Sequence, residues 1–124
     1  MIESGFYERV GGEAFFRKLV EHFYGLVARD EVLRPLYPAD LATAERHLTW
    51  FLMQRWGGPA VYAERRGAPR LRMRHGAFPI GQIERDRWMA HMAAAVRAGG
   101  ASDADAAELM AYFEDTATFL VNQG

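Results

Sequence analysis

The sequence predicts an all-α fold, and three observations carry that expectation. Apolar residues recur three or four positions apart along most of the chain. Glycine and proline interrupt the pattern where helices would end. No stretch shows the strict alternation of a half-buried strand. A length of 124 residues is that of one domain, spanning 1–124, and is enough to bury a core.

Taken in order, a short turn over Ser4–Val10 leads to a corner at Gly11-Gly12. Phe15, Phe16, Leu19, Val20, Phe23, Tyr24 and Val27 then form one apolar stripe, which predicts a helix from Gly12 to Arg29. Pro35 and Pro38 break the chain around Leu36 and Tyr37. Asp40 is the expected N-cap of the next helix, with Leu41, Ala44, Leu48, Phe51 and Leu52 on its inner face and Gly57-Gly58-Pro59 as its stop. Residues 60–70 read as an irregular loop, followed by a short helix near Leu71–His75 that ends at Gly76 and Pro79. A long helix is expected over Gly81–Ala98, burying Ile83, Trp88, Met92, Ala95 and Val96 and ending at Gly99-Gly100. Ser102 with Asp105 reads as a capping box for a last helix that uses Leu109, Met110, Phe113, Ala117, Leu120 and Val121. A plain bundle has short connections, so a long segment ending at a histidine asks for an explanation.

Composition excludes several functions. With 15 Lys and Arg against 16 Asp and Glu, the net charge of −1 shows no footprint for nucleic acid or an anionic membrane. The local exception is the run holding Arg65, Arg66, Arg70, Arg72 and Arg74. The absence of cysteine rules out disulfides, thiolate metal sites and cysteine nucleophiles, and fits a cytoplasmic setting. Met1–Val10 lacks the apolar core of a leader, and no apolar run approaches the ~18 residues that span a bilayer.

Four histidines are the candidates for chemistry. None sits in an HExxH motif, and no nucleotide-binding glycine motif is present. His22, flanked by Lys18 and Glu21, and His91, one residue off its helix stripe, read as structural or surface residues. His75 differs: it closes the segment Arg70–His75, among arginines. A neutral imidazole binds ferrous iron through one nitrogen while the other donates to a carbonyl, and nearby arginines pair with carboxylates such as haem propionates. The plainer reading is a basic loop with a surface histidine. Tyr24, Tyr37 and Trp88 carry polar tips on inward-facing rings. They suit either an ordinary core or a polar spot inside an apolar cavity.

The stretches FYERVGG, HFYGLVARDEVLRPLYP, FLMQRWGGP, YAERRGAPRLRMRH and IERDRWMAHM carry a family resemblance over nearly the whole chain. The sequence resembles the truncated haemoglobins of group II, the branch typified by the mycobacterial oxygen-avid form. The resemblance implies a two-over-two helical sandwich around haem b, with His75 as the proximal iron ligand. It implies a distal pocket lined by Tyr24, Tyr37 and Trp88, whose donors form a cage over the ligand. Ala44 falls where most globins place a distal His or Gln, and Leu48 roofs the pocket. Phe51, Phe78 and Met92 complete the cofactor contacts, and Arg74 and Tyr62 are the propionate candidates. His47 stands where close relatives carry Arg, which puts a propionate contact from that helix in doubt.

The implied function is reversible binding of oxygen, carbon monoxide or nitric oxide, with slow oxygen release. An enzymatic alternative uses the same site for nitric oxide dioxygenase or peroxidase-like chemistry, with electrons from an external reductase. A haem-free helical module that binds a partner is the third reading, and association into a homo-oligomer stays open.

Overall fold

The structure is a computed structural model that describes residues 5–68, 70 and 79–122. Among them all regular structure is helical. Helix α1 covers Gly5–Val10 and α2 covers Gly12–Val27, so the predicted opening turn is a full helical segment. Gly11 makes the corner with a φ of 119°, a conformation that side chains with a Cβ rarely adopt. The seven stripe residues of α2 are all buried, as their spacing predicts. The chain then passes through a 3-10 turn at Arg34–Leu36, with Pro35 inside it.

Helix α3 runs Leu41–Arg55, and Asp40 caps it by accepting from the Ala42 amide at 3.0 Å. Residues 61–66 correct the sequence expectation. They form a short helix, α4 (Val61–Arg66), where an irregular loop was expected. Its sequence, VYAERR, buries only Tyr62, so no apolar stripe announced it. The expected helix at 71–75 lies outside the described residues.

Helix α5 spans Gln82–Ala98, and the Glu84 carboxylate caps it by accepting from the Gly81 amide at 2.8 Å. Helix α6 spans Asp103–Phe119 behind Ser102, whose hydroxyl accepts from the Asp105 amide at 3.2 Å. The Asp105 carboxylate itself is held by Arg9 of α1 at 2.8 Å, tying the two ends of the chain together.

Helix α2 packs against α3 and α5, and α5 packs against α6, giving two crossed helical layers. The core between them holds Phe16, Phe23, Leu33, Met92, Leu109 and Phe113, all nearly or fully excluded from solvent. Ile83 corrects a second expectation, because it is 64% exposed. It precedes Trp88 by five residues, about 140° around the helix, and so faces away from the core. Of the expected inner face of α3 only Leu52 is buried, whereas Leu41, Ala44, Leu48 and Phe51 stay half-exposed. What most of them face is a cavity.

Candidate functional site: an aromatic slot between the helical layers

The cavity has a volume of about 320 Å³ and lies between α3, the Pro35–Pro38 corner, α5 and α6. That is the size range of small-molecule and cofactor sites. Helix α3 lines it with Ala44, His47, Leu48 and Phe51, and α4 adds Tyr62 and Arg66. Tyr62 is buried and meets Phe51 edge-on, with ring centroids 5.4 Å apart. From the other side come Ile80, Arg85, Trp88 and residues of the last turns of α6.

Three polar-tipped rings meet at one end. Tyr24 is buried on α2, and its ring stands at 88° to that of Tyr37 with centroids 5.4 Å apart. Trp88 is wedged between Phe23 and Phe113, at 5.1 and 5.8 Å. Burial pushes the Tyr37 phenol up to about 12, against the opposing pull of hydrogen bonds from the Trp88 indole and the Tyr24 hydroxyl. Burial, the neighbouring Tyr37 and donation of its own proton to Tyr37 raise Tyr24 further. Both neighbours are placed to donate toward the Tyr37 oxygen, whose own O–H can donate in turn. Both phenols are neutral at physiological pH, so this end of the cavity offers donors and no anion.

The corner that carries Tyr37 is braced from behind. The Arg34 guanidinium donates to the carbonyls of Tyr37, Pro38 and Ala39 at 3.1–3.2 Å. At the other end of the slot, Ile80 is clasped by Asn122. The Ile80 amide donates to Asn122 Oδ1 at 2.9 Å, and the Asn122 amide donates to the Ile80 carbonyl at 2.8 Å.

The structure therefore brings together Tyr24, Tyr37, Ala44, Leu48, Phe51, Tyr62 and Trp88 of the expected set around one cavity. Met92 is fully buried in the core and is not among the residues that line it. His75, Arg74 and Phe78 lie outside the described residues. Sequence reasoning missed Arg85 and Tyr112, which line the cavity from α5 and α6. A period-based signal existed for Arg85, one turn before Trp88 on the same helix face. His91, expected to be structural, pairs with the buried carboxylate of Asp30 at 2.7 Å. Among the described residues, no group of three or more acidic or histidine side chains converges to hold a metal.

The residues present fit haem. The walls are apolar and aromatic, which suits the faces of a porphyrin. Arg66 and His47 bring basic groups to the lining, which suits its two carboxylates, whereas the Arg85 guanidinium is already paired with Asp86 and Glu114. Fold and slot together define the globin class of helical protein.

Comparison with known proteins agrees. The sequence pattern described as bacterial-like globin matches residues 5–122. The chain is 38% identical over 117 residues to Group 2 truncated hemoglobin YjbI of Bacillus subtilis, covering 94% of this chain and 88% of that protein. Among solved structures it is similar to the haemoglobin of Chloroflexus aurantiacus, with a TM-score of 0.93 and 48% identity over 95% of this chain and 98% of that one. It is similar to the thermostable haemoglobin of Thermobifida fusca, with a TM-score of 0.93 and 52% identity over 94% and 96% of the two chains. The chain belongs to the bacterial-like globins, among the group 2 truncated haemoglobins. Among the described residues no helix is long and apolar enough to cross a membrane.

Proposed function

We propose that this chain holds haem b in the aromatic slot, with His75 as the proximal ligand, and binds oxygen with slow release. The observation that carries the reading is the meeting of Tyr24, Tyr37 and Trp88 at one end of an otherwise apolar cavity. Haem, when bound, supplies the iron that coordinates a diatomic gas such as oxygen, carbon monoxide or nitric oxide.

The protein's part is to exclude water and to present a donor. Tyr37 supplies the free O–H. Trp88 and Tyr24 donate to its oxygen, which polarises that O–H and strengthens what it gives. A neutral donor in an apolar cavity contributes roughly 1 kcal/mol to a polar ligand, and somewhat more where water is excluded. Each 1.4 kcal/mol slows release about tenfold. Ala44 and Leu48 place no donor near the ligand, so retention rests on the three rings. Arg66, with Arg74 from outside the described residues, supplies the positive charge for the propionates. A gas held this slowly suits storage, sensing or redox use better than delivery.

The test is the oxygen dissociation rate of the haem-loaded Tyr37→Phe and Trp88→Phe variants. Faster release in both is expected. Release at the parent rate in both would remove the donor role of these rings.

A further inference from the structure

Asp30 lies outside the cavity lining, yet its carboxylate makes the densest set of polar contacts in the described structure. Its side chain is only 3% exposed. A buried carboxylate needs partners, because an unpaired charge in the interior is strongly unfavourable. Asp30 finds them on two elements. Oδ1 accepts from the Val32 amide at 2.8 Å and the Leu33 amide at 3.0 Å, which fixes the turn that leaves α2. The same oxygen accepts from Arg87 Nη1 at 3.0 Å, and Oδ2 pairs with His91 Nε2 at 2.7 Å, both on α5.

The contacts lead to the two halves of the donor pair. On one side, the Asp30 carbonyl accepts from the Arg34 amide at 2.9 Å, and the Arg34 guanidinium holds the Tyr37 carbonyl at 3.2 Å. Leu33, anchored by Asp30, is itself a wall of the cavity. On the other side, Arg87 and His91 are one turn apart on α5 and bracket Trp88 in sequence. We propose that Asp30 is a positioning residue: it locks the corner carrying Tyr37 to the helix carrying Trp88 and so sets the contact between indole and phenol. The proposal rests on the reading of that pair given above.

The arrangement is specific to a carboxylate. Four donors converge on two oxygens, and two of the donors, Arg87 and His91, come from one helix face. An amide that keeps its oxygen at the turn keeps Arg87 on that same oxygen without the ionic attraction and turns an NH₂ group toward His91 Nε2, so one tie to α5 is lost and the other is weakened. The consequence appears at Trp88, although Asp30 touches neither Trp88 nor a ligand.

The experiment uses the haem-loaded protein. The first readout is hydrogen exchange of the Trp88 indole N–H, followed by NMR in the carbon monoxide-bound ferrous form. The second is the oxygen dissociation rate, measured for Asp30→Asn in the parent and in Trp88→Phe. Asp30→Asn should speed indole exchange by about tenfold. It should speed oxygen release by at most about threefold in the parent, no more than Trp88→Phe itself, and scarcely at all in Trp88→Phe, because the two act through one contact. Folded Asp30→Asn protein with parent indole exchange, or an undiminished effect on release in Trp88→Phe, overturns the proposal. If Trp88→Phe itself leaves release unchanged while Asp30→Asn still speeds indole exchange, the positioning role stands and the donor role falls. Arg87→Gln offers a milder second variant, because its side chain is 48% exposed. It should reproduce the faster exchange and Arg87→Lys should restore it; parent exchange in Arg87→Gln counts against the lock.

Discussion

Tyr24 and Tyr37 meet edge to face at one end of the cavity, their rings at 88° and their centroids 5.4 Å apart. The contact joins a residue of the central helix to one of a proline-flanked corner. It places the Tyr37 oxygen to accept from both Tyr24 and Trp88. On the proposed reading the three aromatics act on the ligand as one unit, and their contributions to its retention should not add.

Tyr37→Phe should release oxygen about tenfold faster and Trp88→Phe about threefold faster, in keeping with loss of one hydrogen bond and weakening of another. In Tyr37→Phe the indole and Tyr24 donors are set free, so the double variant should lose more than the sum of the singles. Stopped-flow displacement of oxygen by carbon monoxide measures all three.

Ala44 presents a small apolar surface to the cavity from α3. Ala44→Leu adds bulk to that wall without adding a donor. The association rate for carbon monoxide should fall about tenfold while the helical content stays at the parent level, by flash photolysis and circular dichroism. A parent association rate would show that ligands do not pass this wall.

Acid should unfold the chain through Asp30. Burial pushes its carboxyl up, but the His91 hydrogen bond, the Leu33 and Val32 amides and the Arg87 guanidinium outweigh burial and hold it at about 2, below the ordinary 3.8. A depressed carboxyl stabilises the folded state fully above the unfolded value and loses that effect as pH falls toward the folded one. Asp105, lowered chiefly by Arg9, acts in the same direction. Stability to urea should therefore drop between about pH 4 and pH 2, and Asp30→Asn should flatten that part of the profile.

Gly58 lies against the Tyr7 ring so closely that a Cβ would come within 2.5 Å of a ring carbon. The ring is half-buried against Phe16, with centroids 5.9 Å apart, and must shift to admit the methyl group. Gly58→Ala should lower unfolding free energy by about 1–3 kcal/mol, read from urea melts.

Much of the fold was legible because it is written in local spacing. The α2 stripe, the Asp40 cap and the Ser102 cap each depend on residues within one or two turns, and each appears where the sequence places it. Tyr24 and Trp88 were legible for the same reason, as polar-tipped rings on apolar faces. Helix α4 was not, since a six-residue helix that buries one side chain leaves no period to read. Ile83 misled because its apolar character says nothing about direction. The Asp30 cluster was beyond sequence reasoning. Arg87 and His91 stand 57 and 61 residues away, and only the packing of α2 on α5 brings them together. His91 looked unremarkable until its partner was placed.

The most direct test of the account is a hemin titration of the purified chain, followed by its Soret absorption, beside the same titration of His75→Ala. The account predicts one equivalent of tightly held haem in the parent, and a weakened, altered Soret band in the variant. A parent chain that stays colourless with hemin, or a variant whose spectrum and haem retention match the parent, would contradict it.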